Sequence, residues 1–299
     1  MTFRTITDLL RFPEGPISLP DGDWLCVEIA GKALTRIHPD GSVSVVAELE
    51  GGPNGAALGP DGWVYICNSG GWLYERRGEL TWSVGQSERN GWIERVHLQT
   101  GEQQTLYTHC GDIALRSPND LVFDQHGGFY FTDLGKRGNR TIDWCGVFYA
   151  AADGSNIREV VHPMITPNGC GLSPDGNELY VAETLTGRLW AFEVTAPGVL
   201  APGTGMAPHK GRLVAGVSGY RLFDSMAVHD SGLVCVATLW ESGITVCHPN
   251  EGEVSFLPMP DTYTTNLCFD AQGRDLAYVT LSSTGRLVEI PTSLLLETR

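Results

Sequence analysis

The stretch "TPNGCGLSPDG", residues 166–176, sets a polar Asn168 ahead of small and apolar residues and closes on an Asp-Gly turn. Aligned on the turn glycine, five other segments match it: "EGPISLPDG" (14–22), "NGAALGPDG" (54–62), "NDLVFDQHG" (119–127), "DSMAVHDSG" (224–232) and "TNLCFDAQG" (265–273). A second apolar run follows each turn ("WLCVE", "WVYICN", "FYFTD", "LYVAE", "LVCVAT", "LAYVT"), so each segment reads as strand, tight turn, strand. A third run starts at or near glycine, as in "GRLWAF" and "GITVCH", with "GWIERV" its counterpart in the second repeat. A more polar fourth run follows in most, such as "SVSVVAEL" and "EQQTLYT".

Four antiparallel strands repeated six times predict an all-β, six-bladed β-propeller, a single domain over 1–299, in which each blade buries its faces against its neighbours. The sixth repeat has no clear fourth strand, while "TFRTITDLL" (2–10) precedes the first. The N-terminal strand is therefore expected to complete the last blade and close the ring, removing an open sheet edge. With Gly 37 and Pro 17 among 299 residues, little helix is expected.

Lys+Arg 20 against Asp+Glu 35 gives a net charge of −15, spread along the chain. That disfavours nucleic acid and anionic membranes as partners and suits small molecules or cations. Charges interrupt every apolar run near the start, and no later segment is long enough to span a bilayer. The eight cysteines are dispersed and form no CxxC pair, as expected of buried free thiols in a cytoplasmic protein. A monomer or weak homodimer is expected.

The first residues of the repeats are Glu14, Asn54, Asn119, Asn168, Asp224 and Thr265. Equivalent strand starts lie at one height in a propeller, so these side chains are expected to face a common central space. Two carboxylates in one ring repel unless one takes a proton or a divalent cation joins them. An all-oxygen set suits Ca²⁺, Mg²⁺ or Mn²⁺, with Zn²⁺ less natural. The other reading makes these residues turn and strand caps bonded only to backbone. Glu14 counts against it, having little turn preference.

The chain resembles the senescence marker protein-30, gluconolactonase and luciferin-regenerating enzyme family through "EGP" (14–16), "SPND" (117–120), "TPNG" (166–169), "LYVAET" (179–184), "FDSMAV" (223–228) and "TTNLCF" (264–269), in family order. The resemblance implies a propeller with one divalent metal in the central channel, held by Glu14, Asn168 and Asp224 with Asn119 as fourth ligand or close neighbour. It implies hydrolysis of sugar lactones, the metal polarising the carbonyl, Asp224 serving as general base and Asn119 holding substrate or oxyanion. Ser225 stands where the family usually has glycine, and Ser117, a candidate substrate contact, where members near the animal branch carry an arginine. Other ester or phosphotriester hydrolysis, a non-hydrolytic reaction at the same metal, and a non-catalytic binding propeller are the alternatives.

Substrate choice is assigned to the loops. The longest interval, from Asn54 to Asn119, contains 70–92, read as an outer hairpin forming a partial lid. Lys136, Arg137 and Arg140 are candidates for binding a carboxylate, or are simply solvated. Trp72, Trp144 and Tyr220 are candidate walls for a ligand. Asp120 is a candidate substrate contact that, with Asp133 and Glu183, doubles as a turn or blade anchor.

Overall fold

The computed structural model describes residues 3–297; of the expected N-terminal strand, Thr2 lies outside them. Six antiparallel sheets, five of four strands and one of five, surround one axis, their innermost strands being Pro13–Ser18, Pro53–Leu58, Pro118–Phe123, Pro167–Leu172, Leu222–Val228 and Thr264–Phe269. These open blades 1 to 6 in chain order. The sixth blade closes as expected: Arg4–Thr7 pairs antiparallel with Arg286–Pro291, so the outermost strand comes from the start of the chain and the inner three from its end. The only helix among the described residues is Ser293–Leu296.

The second strands read as unbroken apolar runs because both of their faces are covered. In blade 1, Leu25 and Val27 pack toward Val64 and Ile66 of blade 2, while Trp24 and Cys26 pack toward Tyr278 and Leu287 of blade 6. The period of two thus sends alternate residues into two different seams. Tyr65 and Cys67 repeat the pattern, meeting Phe129 and Phe131 of blade 3. Each such side chain contributes about 1.5–3 kcal/mol by burial. The cysteines are all free, six of them buried and two half-buried.

All six turn glycines of the alignment (Gly22, Gly62, Gly127, Gly176, Gly232, Gly273) have φ between +74° and +94°, which closes the inner hairpin tightly. The glycine of "TPNG" has another task. A Cβ on Gly169 would sit 2.7 Å from the Asp224 carbonyl oxygen and 2.8 Å from the Met226 nitrogen, so its absence lets blades 4 and 5 converge near the axis.

Blade 2 carries the main departure from the repeat. Its second and third strands, Trp63–Asn68 and Trp92–His97, pair directly, and the hairpin Trp72–Arg77/Leu80–Gln86 is inserted between them. In blade 4 the fourth strand is Arg212–Gly216, after a long excursion that includes the short strand Val199–Leu200.

Candidate functional site

Four of the six innermost strands begin with proline, which lacks the N–H that a first strand residue would leave unpaired. Every innermost strand then breaks register at its second or third residue: the shifts fall at Glu14/Ile17, Pro53/Ala56, Pro118/Leu121, Pro167/Cys170, Phe223/Met226 and Thr264/Asn266. A bulge re-aims the residue it displaces. Asn54, Asn119, Asn168, Asp224 and Thr265 fall inside these breaks and Glu14 is the last paired residue before its own, and all six line one axial cavity of about 510 Å³.

In blades 1 to 4 the approach to the ring residue is fixed by the last residue of the second strand. Glu28 accepts the Arg11 N–H at 2.7 Å, Asn68 that of Gly52 at 2.9 Å, Asp133 those of Arg116 and Ser117 at 2.6 and 2.7 Å, and Glu183 that of Ile165 at 2.9 Å. Asp133 and Glu183 therefore anchor the segments that deliver Asn119 and Asn168.

The position after each ring residue forms an inner layer of Gly15, Gly55, Asp120, Gly169, Ser225 and Asn266. The side chains in this layer reach neighbouring blades. Asn266 donates to Glu14 Oε2 at 2.7 Å, Ser225 Oγ stands 3.5 Å from Asn168 Oδ1, and Asp120 accepts the Leu121 N–H at 3.0 Å and the Cys170 N–H at 3.3 Å. Asp120 is thus tied to backbone between blades 3 and 4, behind the cavity wall. A Cβ on Gly55 would lie 2.8 Å from its Oδ1, so that glycine makes room for the carboxyl.

Within the ring, Asn168 Nδ2 donates to Asp224 Oδ1 at 2.7 Å and to Thr184 Oγ1 at 3.0 Å. Asn119 Oδ1 is buried and has no hydrogen-bond partner. Burial raises the Glu14 pKa well above the carboxylate range, reinforced by Asp224 and Asp120 and opposed by hydrogen bonds from Asn266 and Gly15. Burial likewise pushes Asp224 to about 7, Asp120 adding to the effect and Asn168 opposing it. Two desolvated carboxyls and an orphaned amide oxygen on one ring form a donor set that fits a hard divalent cation. Among the described residues no three His, Cys, Asp or Glu side chains gather as a metal site, so a cation here would rest on asparagine oxygens as well as the two carboxylates.

Above the ring the wall turns aromatic. Phe12, Trp72, Tyr74, Tyr220, Trp240 and Tyr263 all line the cavity. The inserted hairpin reaches across the mouth from blade 2: Thr81 N–H donates to the Ser283 carbonyl at 2.9 Å, and Trp82 meets Trp240 and Tyr263 with centroids 5.8 Å apart in each case. Its base is tied to blade 3 by Gln86, which donates to the Gly135 carbonyl at 2.9 Å and accepts the Arg137 N–H at 3.0 Å. The hairpin lies over the channel as a lid.

The predicted contacts divide. Trp72 and Tyr220 line the cavity, as does Arg137. Trp144 does not; it opens the third strand of blade 3 opposite Ile165 and is 55% exposed. Ser117 is fully buried behind the wall, its Oγ 3.5 Å from Gln86 Nε2. Lys136 is buried and donates from Nζ to the Ser69 carbonyl at 2.8 Å, a structural tie between blades, while Arg140 is exposed and lies off the cavity. Sequence reasoning missed Asn266 and the aromatic residues Phe12, Tyr74, Trp240 and Tyr263. A signal existed for two of them: Phe12 and Tyr263 stand two residues before Glu14 and Thr265, and period two places them on the same face.

A family model described as SMP-30/Gluconolactonase/LRE-like region matches residues 12–283, nearly the whole propeller. The chain belongs to this family. It is 24% identical to a gluconolactonase of Zymomonas mobilis, over 91% of this chain and 77% of that protein. Among solved structures, a gluconolactonase from Xanthomonas campestris superposes with a TM-score of 0.74 at 23% identity, covering 96% of this chain and 88% of that one. A calcium-binding regucalcin from Agrobacterium tumefaciens gives 0.73 at 16% identity, covering 97% and 93%. Both structures share the fold. For this SMP-30/gluconolactonase-like chain, the ring lies within the matched residues in its entirety.

Proposed function

We propose that this protein is a metal-dependent hydrolase that opens a sugar lactone or a related small cyclic ester. The observation that carries the reading is the orphaned Asn119 Oδ1, buried on a ring with two carboxyls whose burial outweighs the hydrogen bonds they receive. The gluconolactonase relatives supply the reaction class.

Glu14, Asn168 and Asp224 would hold the cation, with Asn119 as fourth ligand or neighbour. When bound, a divalent ion of this class supplies Lewis acidity to a carbonyl and lowers the pKa of water. The chain's own residues do the rest. Asp224 takes a proton from the attacking water, whose oxygen bonds to the acyl carbon. The ring C–O bond then breaks, and the departing alkoxide recovers a proton to give a hydroxy acid. Asn119 holds the carbonyl oxygen through its amide, and Asn266 keeps the Glu14 carboxyl oriented through its 2.7 Å hydrogen bond. The hairpin over the mouth limits water around the reacting bond.

The test strips the protein with EDTA, removes the chelator, and follows acid release from aldonolactones with and without Ca²⁺, Mn²⁺, Mg²⁺ and Zn²⁺. Activity that returns with metal in the wild type and is absent from Asp224→Asn supports the reading. A flat response in every arm, with metal shown to bind, rejects hydrolysis of this class.

A further inference from the structure

The cavity has two chemically different levels. Its floor is the polar ring; its upper wall is built from Phe12, Tyr74, Trp240 and Tyr263, with Leu222 and Leu239 between blades. The rings touch one another: Phe12 lies 4.8 Å from Tyr74 and 5.2 Å from Tyr263, and Trp240 5.8 Å from Tyr263. Among the described residues Arg137 is the one basic residue of the lining, and three of the polar side chains nearest the aromatic wall are committed to the protein. Both ends of the Gln86 amide are bonded to backbone, the Tyr263 hydroxyl donates to the Ser83 carbonyl at 3.4 Å, and Thr166 Oγ1 accepts the Leu185 N–H at 3.1 Å. Against the faces of the four rings, substrate hydroxyls would lose water without equivalent partners, whereas a flat apolar body would not.

The backbone adds an independent observation. Six non-glycine residues among those described have positive φ, and three of them, Phe12 (+58°), Thr166 (+48°) and Trp240 (+68°), line this cavity. A bulky residue adopts this conformation only at a cost, and such strain concentrates where a ligand is gripped. Trp240 is the extreme case. It stands in the turn between Val234–Leu239 and Gly243–His248, where glycine or asparagine would sit without strain, and holds a large ring 39% exposed at the cavity wall.

We infer that Trp240, packed against Tyr263 and Trp82 on the cavity wall, is a specificity-determining residue that selects cyclic esters carrying a flat apolar ring fused to the lactone. The inference rests on the lactone-opening reading for the reaction and narrows its substrate. The lactone carbonyl sits toward the ring of Asn and carboxylate side chains, and the fused ring lies against the indole.

Two δ-lactones that differ in what surrounds the ester separate the possibilities: 3,4-dihydrocoumarin, with a fused benzene ring, and D-glucono-δ-lactone, with hydroxyls. The variants are Trp240→Gly, which the positive φ accommodates, and Trp240→Phe. Because intrinsic reactivities differ, each variant is compared with the wild type on the same substrate. Trp240→Gly should lower kcat/KM for dihydrocoumarin at least about tenfold more than for the gluconolactone, chiefly through KM, and Trp240→Phe should recover most of the loss. Calorimetric titration with 2-tetralone, a carbocyclic analogue that cannot be hydrolysed, should show a parallel loss of affinity in Trp240→Gly. Equal losses on both lactones, or none, would overturn the inference while leaving lactone hydrolysis intact. If the metal-loaded wild type opens neither lactone yet binds 2-tetralone through Trp240, the lactonase reading fails and the aromatic selectivity stands. Absence of both turnover and tetralone binding overturns both.

Discussion

Asn168 Nδ2 lies 2.7 Å from Asp224 Oδ1, so the first polar residues of blades 4 and 5 are joined by a hydrogen bond across the axis-facing seam. The same amide also donates to Thr184 at 3.0 Å, which commits both of its hydrogens and fixes the orientation in which Asp224 is held. Little else offsets the burial of this carboxyl.

Replacing it with its isosteric amide separates chemistry from architecture. Asp224→Asn should leave the propeller folded and lower lactone turnover by about 10²–10⁴, the range expected for loss of a general base. In the metal-free protein at pH 8 the variant should melt at a higher temperature than the wild type, because a buried charge has been removed. Parallel melting curves and acid-release assays give both readings; undiminished turnover would take Asp224 out of the reaction.

The same burial sets a pH dependence in protein stripped of metal. Asp224 and Asp120 both stand at about 7, and Glu14 is raised as well. Between the ordinary carboxylate range and about pH 7, the folded chain therefore holds more protons than the unfolded one. Stability present at low pH is lost as pH rises through 7. The metal-free melting temperature should be higher at pH 5.5 than at pH 8, and Asp224→Asn should narrow the difference. A melting temperature that climbs over this interval in the wild type would contradict the assignment.

Cation binding should act in the opposite direction, since it favours the ionised carboxyls. A divalent ion at a hundredfold excess over its Kd adds about 2.7 kcal/mol to stability. The thermal shift should grow from pH 5.5 to pH 8 and be lost in Glu14→Gln/Asp224→Asn. A shift of equal size in the double variant would place the ion elsewhere.

The ring was legible because it obeys the repeat. Six segments of equal length, each beginning with a residue that seeks oxygen or hydrogen-bond contacts, needed only the closed fold to bring their starts together. The turn glycines were equally legible, since each takes the left-handed conformation that only its residue type tolerates freely. Asn266 was harder to see. It lies one position past the ring, and a regular strand would point it away; the bulge between Thr264 and Asn266 turns it back toward Glu14. Trp144 failed for the opposite reason, being an aromatic in a promising loop whose position opposite Ile165 leaves it outside the cavity. Trp240 and Trp82 depend on a contact between blades 2 and 5, which no local pattern encodes.

Gly169 marks the tightest approach between the blades that carry Asn168 and Asp224. A methyl group there meets backbone atoms of Asp224, Ser225 and Met226, none of which can rotate aside. Gly169→Ala should cost about 1–3 kcal/mol through overpacking and lower turnover by displacing Asp224. Gly62→Ala is the comparison, because nothing lies within 4 Å of its Cβ and its penalty comes from the positive φ alone. Equal destabilisation with unchanged turnover in both would deny the blade contact any part in placing the site.

Closure of the mouth rests on few contacts. Between the tip of the hairpin and blades 5 and 6 there are the Thr81 to Ser283 hydrogen bond at 2.9 Å, the long bond from Tyr263 to the Ser83 carbonyl at 3.4 Å, and the ring contacts of Trp82. The hairpin belongs to no blade sheet, so it can open without breaking any of the six arrays. Trp82→Ala removes the aromatic part of this latch. Hydrogen exchange at Thr81 should accelerate by about tenfold, matching the loss of one or two aromatic contacts, while amides in the second strands of the blades keep their protection. Benzo-fused lactones should then show a raised KM with little change in melting temperature. Unchanged exchange at Thr81 would mean that the hairpin is held by its base at Gln86, with the contacts across the channel contributing nothing to closure.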